Sequence, residues 1–449
     1  MTTTAQLPTT TGRRPHFDGQ ILTPGTRGYD SARSVWNGMI DHRPKLIVCC
    51  ASAGDVVTAV RTARECDLEI GVRCGGHNIA GLAVPHGGLM IDLTKLGRVT
   101  VDPVTRRARV QGGAMLGALD RATQPFGLAT TAGNVSHTGV GGLTLGGGMG
   151  WLARQHGLTC DNVVSYTVVT ADGDVVRASA DEHPDLFWGL RGGGGNFGIV
   201  VEFEFRLHPV GTRALAAELT FPLDRAAQAL RGWRDLAEEA PRQATPTAEI
   251  SGDTVTLGYV WVGDPEGGLA MLPALRSVGV PDGEVVRELS YTELQTRDDS
   301  IEGHAYRRYW KGHYLAELSD GAIGALVDRD PADATLPGAS LQAYGGAIAD
   351  VDDDATAFSH RRARFEYVAA VKWSDPGEDS LRMGAARQAA AKLDPFAVGA
   401  YVNALSDEGA PGVRRAYSEA KRARLTAVKD AYDPDNVFHL NHNIAPTRR

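Results

Sequence analysis

The residue best placed to do chemistry is a histidine in a glycine-flanked loop, Arg73-Cys74-Gly75-Gly76-His77-Asn78. Two consecutive glycines let backbone N–H groups turn toward a ligand without Cβ obstruction, and a side chain directly after them stays close to that ligand. Read alone, the loop is equally a surface turn with a solvated histidine. Two further glycine-rich stretches tip the balance. Gly139 to Gly150 holds seven glycines in twelve residues: Gly139, Gly141, Gly142, Gly146, Gly147, Gly148 and Gly150. Such a run fills a core poorly and costs entropy unless backbone must approach something closely. A phosphate-bearing ligand is the expected reason, a tight bend between packed strands the alternative. The third stretch, Arg191-Gly192-Gly193-Gly194-Gly195-Asn196-Phe197-Gly198, matches G-x-G-x-x-G at Gly193, Gly195 and Gly198. A dinucleotide-binding βαβ unit needs a strand before that motif and a helix after it. Here Asp185–Leu190 reads as helix and Ile199–Leu207 as strand, so the Rossmann reading is rejected.

The elements that must position these loops alternate strand and helix. Leu46–Cys50 reads as a buried strand. Ser52 then N-caps a helix running to Cys66, with Asp55 three residues on and Val56, Val57, Val60 and Ala63 as its buried stripe. Leu68–Val72 is the strand that delivers the histidine loop. Leu89–Leu93 and Arg107–Gln111 are further strands, Ala114–Thr123 a helix, and Val163–Thr170 with Val175–Ala178 a hairpin turning at Asp172-Gly173. Composition shifts near Pro209–Gly211. Beyond it, helices are expected over Ala226–Glu239 and Leu269–Ser277, and strands over Val255–Val262, Ser340–Ile348 and Arg364–Trp373. That pattern suits a separate α+β domain with an antiparallel sheet. A basic helix, Val413–Ala431, follows Tyr401-Val402-Asn403.

Bulk composition narrows the class. The chain has 449 residues, long for one domain and typical of two. Apolar residues make up 43% and charged residues 22%, with a net charge of −8. No long basic run argues for nucleic acid, and no long uncharged apolar stretch argues for a membrane. Residues 1–15 read as a loose tail; Arg13-Arg14 lacks the apolar segment that an export signal needs, so a cytoplasmic location is expected. Five cysteines, an odd and scattered set, give no disulfide framework. His439 and His442 lack an acidic partner for a zinc motif, so no metal is expected. Oligomeric state is left open.

Taken together, the motifs resemble the FAD-linked oxidoreductases of the vanillyl-alcohol-oxidase type, in the berberine-bridge-enzyme-like subgroup. The matching segments are RCGGHN (73–78), GNVSHTGVGGLTLGGGMGWL (133–152), HGLTCDNVV (156–164), RGGGGNFGIV (191–200), AYVN (400–403) and YDPDNVFHLNHNIAP (432–446). They span most of the chain, in the family's order. The resemblance implies an α+β, two-domain FAD-binding fold with an antiparallel-sheet substrate domain. The expected divisions are an FAD domain over 16–210, a substrate domain over 211–395, and a C-terminal segment, 396–449, completing the FAD domain and active site. It further implies that His77 bonds covalently to the flavin 8α-methyl, raising its oxidising power. Some members add a cysteinyl bond; Val135 stands at the aligned position and forms no thioether, so a single bond is expected, with Cys74 and Cys160 as lesser alternatives. By the same resemblance Ser136, His137, Thr138, Gly139, Gly141, Gly142, Gly146, Gly148, Asp161, Asn162, Gly195, Asn196, Gly198, Ile199, Val200, Asn441 and Asn443 join the residues of 73–78 around FAD.

Two residues are candidates for the base that takes a substrate proton as hydride leaves a hydroxyl-bearing or activated C–H carbon of a small organic substrate toward the flavin. Glu366 resembles a catalytic glutamate of plant members. Its strand neighbours Val368 and Ala370 are apolar, which argues for burial, while pairing with Arg364 or Lys372 is the structural alternative. Tyr401 resembles a tyrosine base of sugar-oxidising relatives; an aromatic packed on the flavin edge is its alternative. Small Thr138 favours an oxidase, with O2 as acceptor and H2O2 as product. A dehydrogenase with another acceptor, or a non-redox binding module, are the competing readings. His304, Tyr306, Trp310, Lys311, Tyr314, Gln342 and Tyr344 are candidates for the substrate side, suited to a small ring-bearing molecule of secondary metabolism, with a place in helix or sheet core as the equal alternative for each.

Overall fold

The computed structural model describes residues 16–299 and 305–447. The expected tail, 1–15, and His304 lie outside them. Ser52 accepts a hydrogen bond from the N–H of Asp55 and Asp55 reaches back to Ser52, a complete capping box, and the helix Ala53–Glu65 begins there. Val56, Ala59, Val60 and Ala63 form its buried stripe. They face a four-stranded sheet ordered Gln20–Leu22, Leu46–Cys49, Leu89–Asp92, Ile70–Arg73. The last three strands run parallel, so Leu89–Asp92 sits between the two strands that flank the helix.

A second sheet is antiparallel, ordered Val99–Asp102, Arg107–Gln111, Ile199–Arg206, Val163–Val169, Val175–Ser179. Its hairpin turns through Gly173 at φ 78°, where glycine is unstrained. The buried helix Pro184–Leu190 precedes the third glycine stretch and the strand Ile199–Arg206 follows it, an order opposite to a Rossmann unit. The core under this sheet is closed by residues distant in sequence: Ala400, Val402, Leu405, Val413, Tyr417, Leu425, Val428 and Ile444 pack with Tyr166, Phe197 and Phe203.

The third sheet has eight antiparallel strands: Gly283–Ser290, Arg213–Pro222, Thr254–Val262, Ala244–Ser251, Gly338–Ala343, Phe365–Trp373, Arg307–Leu315 and Ala397–Gly399. The helix Ala226–Glu239 covers one face with Ala226, Ala229, Leu230, Trp233, Leu236 and Ala237. Each large apolar side chain buried this way contributes about 1.5–3 kcal/mol. The opposite face of its central strands looks toward the glycine loops.

Three expected elements are shorter or broken. The strand expected to Ile348 stops at Ala343, because Gly345 and Gly346 at φ 86° and 56° turn the chain. The basic helix divides into Gly409–Ala416 and Glu419–Tyr432, since Ser418 caps the second helix through the N–H of Lys421. The helix expected over Leu269–Ser277 shortens to Leu272–Arg276, and a separate short helix, Pro265–Leu269, precedes it. Asn37 ties the loop after His77 to the eight-stranded sheet: its amide donates to the carbonyls of Ile79 and Arg308, and its oxygen accepts from the N–H of Arg308.

Candidate active site

A cavity of about 430 Å3 lies between the glycine loops and the eight-stranded sheet. The strand Ile70–Arg73 ends at its rim and delivers Cys74, Gly75, Gly76, His77 and Asn78 to the wall. Thr138, Gly139, Gly141, Gly142 and Leu143 come from the second glycine stretch; Gly195, Asn196, Gly198, Ile199 and Val200 from the third. The sheet supplies Trp310, Gln342, Glu366 and Val368, and the C-terminal segment supplies Tyr401, Asn403, Asn441 and His442.

The glycines serve two purposes. A Cβ on Gly75 would sit 2.3 Å from the nitrogen of Gly139, and one on Gly139 would sit 2.4 Å from both the Cys74 sulfur and the nitrogen of Gly75. The first and second loops therefore meet backbone to backbone. A Cβ on Gly142 or Gly195 would meet nothing within 4 Å, so their bare backbone faces the cavity. Asn134 Oδ1, Asn441 Oδ1 and His442 Nε2 are buried at the wall without a hydrogen-bond partner. Buried polar groups are rarely left unpaired, so these atoms await a polar ligand. Among the described residues the wall holds no lysine, arginine or aspartate. A polar ring system with a backbone-cradled phosphate portion fits this wall, and FAD is such a molecule.

His77 is a half-buried, neutral imidazole. Burial, then His137 and Arg308, push its pKa down to about 3. Its Nε2 lies 2.7 Å from His137 Nδ1, and its Nδ1 lies 3.5 Å from Thr138 Oγ1. Trp36 stacks on the ring at 5.0 Å between centroids. Ser136 donates its N–H and its hydroxyl to Asp299, which pins the segment carrying His137.

Glu366 sits on the strand Phe365–Trp373, where Phe365, Tyr367 and Ala369 face the core and Glu366 and Val368 face the cavity. Gln342 and Tyr314 stand opposite it on the two neighbouring strands. The Tyr344 hydroxyl donates to Glu366 Oε2 at 2.7 Å, in place of the basic partner considered from sequence. Burial pushes the carboxyl up to about 7, and the Tyr344 hydrogen bond restrains the rise. The Tyr401 hydroxyl accepts from the N–H of Gly148 at 3.0 Å and from Asn403 Nδ2 at 2.9 Å. Burial first, then the Glu366 charge, nevertheless raises its pKa, so the phenol keeps its proton.

Other residues singled out from sequence lie behind the wall. Arg73 faces Asp92 at 3.7 Å. Asp161 forms a buried two-pronged pair with Arg361, at 3.0 and 2.6 Å. Asn162 bonds His208 and the carbonyls of His156 and Leu158. Gly146 abuts Asn403, Gly148 abuts Thr159, and the buried Asn443 Oδ1 has no partner. On the substrate side Trp310 and Gln342 reach the wall, whereas Tyr314 and Tyr344 are buried behind Glu366, Lys311 pairs with Glu408 at 2.8 Å, and Tyr306 lies beside Lys372. Trp36 was not anticipated, since a lone aromatic in a loop carries no periodic signal, and His442, weighed from sequence only for a zinc motif, lines the cavity instead.

The FAD binding domain family matches residues 44–179, and the berberine and berberine-like family matches residues 400–445. The (R)-6-hydroxynicotine oxidase of Paenarthrobacter nicotinovorans is 32% identical, over 96% of this chain and 97% of its own. The solved 6-hydroxy-D-nicotine oxidase of Arthrobacter nicotinovorans superposes with a TM-score of 0.86 at 30% identity, covering 96% and 99% of the two chains. Glucooligosaccharide oxidase of Acremonium strictum, described as carrying a 6-S-cysteinyl, 8α-N1-histidyl FAD, gives 0.87 at 25% identity, covering 96% and 98%. The chain therefore belongs to the berberine-bridge-enzyme-like FAD-linked oxidoreductases of the vanillyl-alcohol-oxidase type, and it is an FAD-dependent oxidase.

Proposed function

We propose that the chain oxidises a hydroxyl-bearing carbon of a small, ring-bearing organic substrate, with FAD bonded to His77 alone and O2 as final acceptor. The observation that carries this reading is one cavity lined by both His77 and the Glu366 carboxyl, which burial pushes up to about 7. When bound, FAD supplies the two-electron acceptor and is reoxidised by O2 to give H2O2. Glu366 takes the hydroxyl proton. A base with a pKa close to the working pH is best suited to that task. Tyr401, held protonated by burial, positions rather than deprotonates, and its two N–H donors fix its ring at the wall. Trp310, Val368 and Leu143 give the cavity an apolar lining. Backbone N–H groups of the glycine loops can take the cofactor's phosphates, but near Glu366 the wall, among the described residues, offers a substrate carboxylate no lysine or arginine side chain, which favours a substrate without a carboxylate.

The neutral His77 has a lone pair for the flavin carbon, and contact of Nε2 with His137 leaves Nδ1 as the bonding nitrogen. Val135 offers no sulfur at the wall, and burial holds the Cys74 thiol up at about 11. The test is an absorption spectrum before and after acid precipitation. Yellow colour retained by the polypeptide, and lost from it in His77→Ala, supports the histidyl bond; release into the supernatant overturns it. Peroxide formation is then screened with ring-bearing alcohols and their carboxylated analogues. Turnover of the carboxylates alone would overturn the assigned substrate class.

A further inference from the structure

We infer that Tyr344 is the positioning residue for Glu366: its hydroxyl fixes Oε2 and leaves Oε1 to the cavity. The inference rests on the reading of Glu366 as the base. Tyr344 is 1% exposed and leaves the strand Gly338–Ala343 just before Gly345 and Gly346 reverse the chain. Its backbone is held from two sides. Its N–H donates to the Arg364 carbonyl at 2.7 Å, and its carbonyl accepts from the Arg154 guanidinium, itself anchored on the carbonyls of Ala244 and Ala240. Tyr314 packs edge-on against its ring at 5.3 Å. The phenol therefore reaches Glu366 already oriented and donates its O–H to Oε2.

The groups packed around Glu366 are Tyr314 from one neighbouring strand, Gln342 from the other, Tyr344 beyond it, and Tyr401 from the C-terminal segment. None of these is cationic. Arg361, the cation beside the neighbouring tyrosines, is committed to Asp161. The Tyr344 bond is thus the stabilising contact for the ionised carboxyl, opposed by burial.

The test uses the holoenzyme and infrared difference spectroscopy of the protonated carboxyl stretch across a pH titration, with Glu366→Gln identifying the band. Wild type should show a midpoint near 7. Tyr344→Phe should raise that midpoint by about 1 to 2 in pH, the worth of one hydrogen bond to a charged group. The acid limb of kcat/KM should move with it. Replacing Tyr344 by 3-fluorotyrosine keeps the packing and strengthens the donor, so it should move the midpoint down. An unchanged midpoint in both variants overturns the inference. Full turnover by Glu366→Gln would instead overturn the base assignment, while the infrared midpoint still decides whether Tyr344 holds the carboxyl.

Discussion

Replacing Glu366 by glutamine should remove activity and, at alkaline pH, make the protein more stable. The carboxyl moves from an ordinary 4.5 to about 7 on folding. Its folded pKa is raised, so the folded state binds the proton more tightly than the unfolded chain. Stability from this group is complete below 4.5 and is lost as pH rises through about 7. A tenfold difference in proton affinity between the two states is worth about 1.4 kcal/mol, so above both values the ionised carboxyl costs the fold up to about 3 kcal/mol. Water reaching the cavity side of the group reduces that figure. Glutamine keeps the acceptor for Tyr344 and removes the charge. The assay is urea unfolding of both proteins at about pH 5 and about pH 9, with activity measured alongside. The midpoints should be close in acid and diverge in base in favour of the variant, while turnover falls by roughly 10²–10⁴-fold. Parallel stability curves at both pH values would refute the raised pKa and the reasoning built on it.

Gly139→Ala and Gly142→Ala should fail differently. The first puts a Cβ into the Cys74 and Gly75 backbone contact and should cost about 1–3 kcal/mol with or without cofactor; the second meets open space and should lower flavin content without lowering apo-protein stability, as paired melts and flavin absorbance will show. Asp161→Ala leaves the Arg361 guanidinium buried without its carboxylate and should destabilise by about 3–5 kcal/mol in denaturant titration. The stacked His156 and His208 rings, 3.9 Å apart, both have pKa values pushed down to about 4 by burial. Because the unfolded chain takes up these protons first, stability should drop as pH falls from about 6.5 toward 4, and a double His→Phe variant should flatten that slope in melts across pH.

Local rules made part of this architecture legible. Ser52 and Asp55 announce a capping box, Asp172-Gly173 a hairpin, and the glycine order around Gly195 excludes a Rossmann unit, because each is decided by a few adjacent residues. The alternation around Glu366 likewise identified a face that avoids free solvent. Its partner could not be read the same way, since Tyr344 arrives from another strand after a turn that Gly345 and Gly346 dictate. Trp36 against His77, and Ser136 against Asp299, are meetings of segments far apart in the chain. No periodicity encodes them. The basic stretch Val413–Ala431 reads from sequence as one helix, whereas Ser418 caps a second helix inside it by accepting from the N–H of Lys421.

The closure of the second sheet's core by residues 400–444 bears on how the chain is made. Tyr166, Phe197 and Phe203 emerge from the ribosome long before Leu425, Val428 and Ile444, with which they share a core. At roughly 5–20 residues per second, the earlier half waits about 10–50 s for those partners. Throughout that interval an apolar surface stands open on the nascent chain. Yield in a heterologous host should therefore depend on translation speed and chaperone supply more than on the stability of the finished enzyme.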